Sequence, residues 1–356
     1  MTASGEAARR PPARRPTIKD IARRAGVSES AVSFALNGRP GVSDRTRTRI
    51  RRVAQELGWQ ANSAARALSG DRADCIGLVL ARPARTLGVE SFFLQLVSGI
   101  QEVFSAHRTA LLLQVVPDLA AECALYRRWW AERRVDGVLV VNPRTEDPRP
   151  RLLGSLGLPA VVVGGLATPG PDSAPPPLPT VWADDAKAMA RILDHLHGLG
   201  HRRIVHVAGL PELAHTARRI RSLRSEAARR GLDTRQVRSV TTDYSDAEGA
   251  EATRRLLDTA EPPTAIIYDN DVMAVAGASV AAERGIPVPR GLSIVAWDDS
   301  PLCRVTHPRL TALVRDTAAF GRLAAQELRA VLDGGPVRAV QGELPHLEER
   351  ESTGAP

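Results

Sequence analysis

Residues 75–80 (CIGLVL), 110–116 (ALLLQVV), 135–141 (VDGVLVV) and 159–165 (PAVVVGG) are short apolar runs separated by stretches of helical periodicity. After a proline-rich loop, ATPGPDSAPPPLPT, the rhythm resumes with RIVHVAG, VRSVTTD, TAIIYD and LSIVAWDD. A short, continuous apolar run is a strand buried on both faces. Strands that alternate with helices form parallel sheets with helices on either side. Two such series predict two similar α/β lobes. Ligands of open α/β sheets bind beyond the carboxyl ends of the strands, so this layout predicts a binding cleft between the lobes.

A different pattern precedes residue 73. TIKDIARRAGVS reads as a helix capped by Thr17, with Asp20 at the capping-box position and Ile18, Ile21, Ala22 and Ala25 inward. Gly26-Val27 forms a tight turn, and Ser28 caps a second helix that ends at NGRPG. Its inner face is Ala31, Val32, Ala35 and Leu36, and its outer face carries Glu29, Ser30, Ser33, Phe34 and Asn37. Ser43 caps a third helix running to about Leu57, with Ile50, Val53 and Ala54 inward. Three short helices, the first two joined by a glycine-containing turn, form a helix-turn-helix whose second helix enters the major groove.

Charge agrees with this division. Residues 1–72 hold fifteen basic and six acidic side chains, a net +9, against +8 for the whole chain. A basic head on a near-neutral body is the footprint of a nucleic-acid-binding module. The chain has two lysines, so arginine supplies almost all of the positive charge. Compositional bias alone would have spread that charge evenly. Residues 1–16, rich in Pro, Arg and Ala, are expected to be a disordered basic tail. Cys75, Cys123 and Cys303 are odd in number and widely spaced, which implies neither a disulfide framework nor a zinc knuckle. No secretory leader or membrane-length apolar stretch is read, so a cytoplasmic location is expected. His195, His197 and His201 in HLHGLGH do not share a helix face, and no metal site is expected. Neither a Gly-rich phosphate loop nor a catalytic constellation is present, so neither a cofactor nor an enzyme is expected.

On these residues the chain resembles the lactose-repressor/galactose-repressor (LacI/GalR) family of bacterial transcription regulators. The likeness lies in residues 17–70 of the head and in the body segments IGLVL, VDGVLVV, GLGHRRIVHVAG, PPTAIIYDNDVMAVAG and GIPVPRGLSIVAWDDSPL. It implies an N-terminal all-α helix-turn-helix head on a two-lobed, periplasmic-binding-protein-like (type I) ligand-sensing body with parallel sheets. The implied domains are a head at 17–61, a hinge helix at 62–72, and an effector-binding and dimerisation body at 73–350. The implied function is a homodimeric regulator, with repression the expected mode, bound to near-palindromic double-stranded operator DNA and controlled by a sugar-like small molecule. No leucine-heptad tail follows Leu344, so a tetramer built on one is not expected.

The resemblance places Glu29, Ser30 and Phe34 at base-reading positions. Many members carry arginine where Phe34 stands. Phenylalanine can meet a thymine methyl and Glu29 a cytosine amino group, or Phe34 can tuck against the third helix and Glu29 can serve the helix dipole. Thr17, Ser28, Ser33, Asn37, Ser43, Arg45 and Thr46 are candidates for phosphate contacts, and capping explains several of them equally well. In the hinge, Asn62, Ala65 and Leu68 match family positions: Leu68 the leucine that wedges between central base pairs, Ala65 a small residue at the helix crossing. The family often has proline where Ala61 stands.

For the effector, Arg219 matches the arginine that clamps it, Asp298 and Asn270 match polar cleft residues, and Tyr244 and Trp182 match aromatic walls. Asn270 could instead cap the helix that it begins. Gly164-Gly165 replaces a polar or acidic pair of many members, and Phe92-Phe93 lacks the Asn-Pro that often precedes it. Two other readings compete. One is control by a partner protein instead of a sugar. The other, of a different class, is a cytoplasmic solute-binding protein, against which the basic head speaks.

Overall fold

The computed structural model describes residues 16–59, 72–82, 91–165 and 177–356. Two compact units meet at Asp71–Arg72. The expected basic tail, nearly all of the hinge segment with Asn62, Ala65 and Leu68, and most of the proline-rich loop lie outside the described residues.

The first unit contains α1 (Ile18–Ala25), α2 (Glu29–Leu36) and α3 (Asp44–Glu56). Its core is Ile21, Ala22, Ala25, Val32, Ala35, Ile50, Val53 and Ala54, and the four alanines let the helices approach closely. Thr17 and Asp20 form the complete capping box. Gly26 ends α1 at φ +65°, a left-handed conformation that glycine adopts at little cost. Arg47 on α3 donates to the carbonyls of Phe34, Ala35 and Arg39 at 3.4, 3.2 and 2.9 Å. It thereby satisfies the open C-terminus of α2 and fixes the angle between the two helices.

The second unit has two sheets. Its elements in chain order are β1 (Cys75–Ala81), α4 (Ser91–Ala106), β2 (Ala110–Val116), α5 (Leu119–Ala131), β3 (Gly137–Val140), α6 (Arg149–Leu156), β4 (Ala160–Val163) and β5 (Thr180–Trp182). There follow α7 (Asp185–Gly198), β6 (Ile204–Ala208), α8 (Ala214–Arg229), β7 (Val237–Thr241), α9 (Asp246–Leu257), β8 (Ala265–Tyr268) and α10 (Asp271–Glu283). The chain ends with β9 (Ser293–Ala296), α11 (Pro301–Val305), β10 (Thr311–Val314), α12 (Thr317–Leu332), β11 (Ala339–Gln341) and β12 (His346–Glu348).

One sheet has the order β11-β5-β4-β3-β1-β2, and the other has β12-β10-β9-β8-β6-β7. Every pairing is parallel except that of β12 with β10. All eight apolar runs became strands. The sequence reading did not single out β5, β10, β11 and β12, which are only three or four residues long. These are the strands at the crossings. The chain passes between lobes after β5, again after β10, and a third time after β11. Thus α12 lies in the first lobe, where Ala324, Ala325 and Leu328 pack with Ile76, Leu96 and Ile100. Gly99 and Gly321 bring α4 and α12 into backbone contact, since a Cβ on Gly321 would fall 2.3 Å from the Leu96 carbonyl oxygen. Packing continues past residue 350: the fully buried Ser352 takes the Thr311 N–H and donates to the Ile294 carbonyl.

Candidate functional site

Two surfaces carry the residues singled out by sequence. On the head, Val32 and Ala35 are buried, while Ser28, Glu29, Ser30, Phe34 and Asn37 are exposed. Phe34 is 38% exposed, and one edge of its ring lies 3.5 Å from where a Cβ on Gly41 would stand. The ring therefore leans on the α2–α3 loop and leaves its other side to solvent. Ser28 accepts from Ala31 N at 3.2 Å, Ser43 from Thr46 N at 3.4 Å, and Thr17 from Asp20 N at 3.4 Å. The three expected caps are thus present. Ser30 pairs with Ser28, Thr46 with Ser43, and Asn37 donates to Ser33 at 3.5 Å. Arg45 is exposed at the start of α3.

In the body a cavity of about 800 Å³, including its open mouth, lies between the lobes at the carboxyl ends of the strands. Of the five residues matched to the effector, Arg219, Tyr244, Asn270 and Asp298 line it. Trp182 does not; it stands on β5, where its carbonyl accepts from Gly342 N at 2.8 Å. The strand-end position had looked equivalent to a cleft position, but pairing with β11 directs this segment into the sheet edge. The aromatic walls are instead Phe92, Phe93, Tyr244 and Phe320. Asn270 lines the cavity with its amide engaged at both ends. Its Oδ1 caps α10 by accepting from Met273 N at 2.8 Å, and its Nδ2 donates to the Tyr244 carbonyl at 3.0 Å.

Arg219 is the centre of a buried network. Its Nη1 donates to Asp269 Oδ1 at 2.9 Å, its Nε donates to Asp185 Oδ1 at 3.3 Å, and its guanidinium lies 4.1 Å from the Trp297 ring centre. Asp269 also accepts from Gly209 N at 2.9 Å and the Tyr244 hydroxyl at 3.3 Å, and it pairs with His206 at 2.9 Å. Burial alone would raise this carboxyl's pKa, yet Arg219, His206 and Gly209 N–H hold it far below the usual range. Tyr244, at φ +73°, also meets His215 at 2.8 Å and Thr216 at 2.9 Å; burial and the Asp269 charge push its phenol well up. Burial and the Arg219 charge push His215 well below the ordinary histidine value.

The neighbouring arginine, Arg218, crosses between the lobes. From α8 it donates to Asp185 Oδ2 at 2.8 Å, the Gly165 carbonyl at 2.8 Å and the Gly164 carbonyl at 2.6 Å. Gly164 and Gly165 both have positive φ, at +110° and +70°, and present their carbonyls to the guanidinium. Backbone bonds beside it also cross the lobes: Ala214 N to Pro143 O at 2.8 Å and Thr145 N to Glu212 O at 3.0 Å. Arg315 donates to Asp298 Oδ1 and stacks 4.8 Å from the Phe92 ring centre, while Arg82 stacks on Phe93 and Tyr244. Sequence reading passed over Arg218, Asp185, Asp269, Asp271 and Arg315. Three of them adjoin residues it chose, in ARRIRSL and YDND, but nothing local tells which of two neighbouring charges faces a cavity.

His195 and His201 are structural. His201 bonds Thr264, Ser293 and the Gly354 carbonyl, and His195 bonds Thr353, so both tie down the end of the chain. Among the described residues no group of three candidate ligands could hold a metal ion, and no helix is long and apolar enough to cross a membrane.

A basic helix-turn-helix head on a two-lobed body with a polar interlobe cavity defines a class: a DNA-binding domain joined to a ligand-sensing domain. Residues 17–62 match the family described as bacterial regulatory proteins, lacI family, and residues 193–353 match the periplasmic binding protein-like domain. The chain is 30% identical over 340 residues to the transcriptional regulator CelR of Thermobifida fusca, covering 95% of this chain and 98% of that protein. It is 26% identical over 339 residues to catabolite control protein A of Priestia megaterium, covering 95% and 99%. Among solved structures, a CelR–cellobiose complex is similar at 28% identity and TM-score 0.71, covering 95% of this chain and 100% of that one. The lac repressor dimer bound to operator and the anti-inducer ONPF shares the fold at 22% identity and TM-score 0.80, covering 96% and 100%. The chain belongs to the LacI family: it is a DNA-binding transcription regulator and not an enzyme.

Proposed function

We propose that this regulator is a repressor that binds a near-palindromic operator as a homodimer and changes its DNA affinity when a small, sugar-like molecule occupies the interlobe cavity. The observation that carries the reading is Arg218, which joins the two lobes across the wall of that cavity. A molecule held there bears on both lobes at once, and a change in their spacing would pass to the hinge segments of the dimer. A relative whose structure is a complex with cellobiose supports a sugar-like effector. On the DNA side, Glu29, Ser30 and the free edge of Phe34 face outward as base readers, and Thr17, Ser28, Ser33, Asn37, Ser43, Arg45 and Thr46 serve the phosphates. Caps can do both, because helix N-termini bind phosphate. Asn62, Ala65 and Leu68 are assigned to a hinge helix in the minor groove, with Leu68 as the wedge. The protein works at the nucleoid, in the cytoplasm.

Selection of genomic fragments by the full chain tests this. An enriched palindrome with a constant centre is expected, and a thermal-shift screen against small molecules should then find a compound that alters affinity for it. Fragments enriched by charge alone, with no common sequence, would overturn the reading.

A further inference from the structure

We propose that Asp271 and Arg315 set the ligand specificity of the cavity and together read two neighbouring hydroxyls of an uncharged ligand. This rests on the effector reading above and names the chemistry of the same site.

The charges of the cavity wall come first. Arg82, Arg218, Arg219 and Arg315 stand against Asp185, Asp269, Asp271 and Asp298, four of each sign. His215 is held neutral by burial and by Arg219. A phosphate or carboxylate would add an anion beside Asp271 and Asp298. An ammonium would add a cation beside Arg219 and Arg315. The balanced wall favours a neutral molecule.

The next question is which polar atoms are still available. Arg219 is bound to Asp269 and Asp185 and stacked on Trp297, Arg218 is bound to Asp185 and two glycine carbonyls, and Asn270 is used at both ends. Among the described residues, the buried side-chain atoms without a protein hydrogen bond are Glu122 Oε2, Asp271 Oδ2 and Arg315 Nε. Two of the three belong to residues of this cavity. Asp271 is 3% exposed at the start of α10, and Arg315 reaches the same region from the end of β10, with Asp298 between them as its ion-pair partner. One of these atoms only accepts and the other only donates. A hydroxyl does both, so one hydroxyl can donate to Asp271 while its neighbour accepts from Arg315. Phe92 beneath Arg315 and Phe320 nearby offer apolar faces to the C–H side of such a ligand.

Asp271 is also costly for the fold. Burial raises its pKa, and the Asp298 charge adds to this. A folded-state pKa above the unfolded value means stability that is present in acid and lost as pH rises. At neutral pH the ionised Asp271 therefore destabilises the chain, which fits a residue kept for a ligand.

The test uses the full chain and Asp271→Asn and Arg315→Met, with calorimetric titration of glucose and cellobiose, plus glucose 6-phosphate and adenosine as contrasts. A neutral sugar should bind, and each variant should weaken it at least tenfold. A deoxy analogue lacking one hydroxyl of the pair should weaken binding to the wild type but cost little more in the variant that has lost the matching group. Without ligand, Asp271→Asn should melt higher than the wild type at neutral pH. A tenfold loss with additive deoxy effects would make the two residues structural and overturn the assignment, as would unchanged sugar affinity in both variants. Binding of glucose 6-phosphate or adenosine in place of the neutral sugars would leave the effector reading standing and remove this one. Failure of all four to bind would also remove it, while release of operator DNA by other compounds tests the effector reading separately.

Discussion

Replacing Arg218 by methionine isolates the bond between the lobes. Methionine keeps much of the length and apolar volume but removes the guanidinium that donates to Gly164 and Gly165. Asp185 is not orphaned, because Arg219 Nε still donates to it at 3.3 Å. The loss is therefore confined mainly to lobe closure. A hydrogen bond to a charged group is worth about 1.5–3 kcal/mol net, so two such bonds contribute about 3–6 kcal/mol to the closed arrangement. At about 1.4 kcal/mol per tenfold, opening should rise at least ~100-fold. Native-state hydrogen exchange reads this directly, since the Ala214 and Thr145 amides donate across the lobes to Pro143 and Glu212. Their exchange should quicken by two orders of magnitude in Arg218→Met. The Val138 amide, which donates to Pro159 within the first lobe, should not change. Equal protection of Ala214 and Thr145 in both proteins would show that the backbone contacts hold the lobes without Arg218.

DNA affinity should fall steeply with salt: a dimer with roughly ten phosphate contacts gives a slope of log K on log salt of about −9, and a flat response would remove the head from the interface. Phe34→Ala should relax one position per half-site at a cost of about 1–3 kcal/mol, read by sequence selection with both proteins; identical selected motifs would make Phe34 a loop-packing residue. Arg219→Ala should abolish effector response together with stability, because it leaves the buried Asp269 without its guanidinium. Breaking such a pair costs about 3–5 kcal/mol, and an unchanged denaturant midpoint would refute that role. His215 and His201 have folded pKa values below the ordinary 6.5, chiefly through burial, so their contribution is complete above about that pH and is lost as pH falls below it. The thermal midpoint should drop between about pH 6.5 and 5, and His215→Gln should flatten part of that slope.

The sequence by itself determined the elements. Eight apolar runs became strands, and Thr17, Ser28 and Ser43 cap the three head helices, because caps and buried strands depend on neighbours a few residues away. It also determined the two-unit plan, since charge density and periodicity change together near residue 72. It could not reveal β5, β10, β11 and β12, which are too short to show a period, nor the three crossings they make. The cavity wall was hidden for a related reason. Arg218 and Arg219 are adjacent and chemically identical, yet one bonds across the lobes and the other centres a buried network. Asn270 turned out to be a cap, Trp182 a sheet-edge residue, and Asp271, next to Asn270, the wall residue with an unspent oxygen. Which side chain faces the cavity depends on how α8 and α10 pack against two sheets brought together from segments about a hundred residues apart. That register is set by packing and close approach across the lobes, and only the tertiary structure decides it.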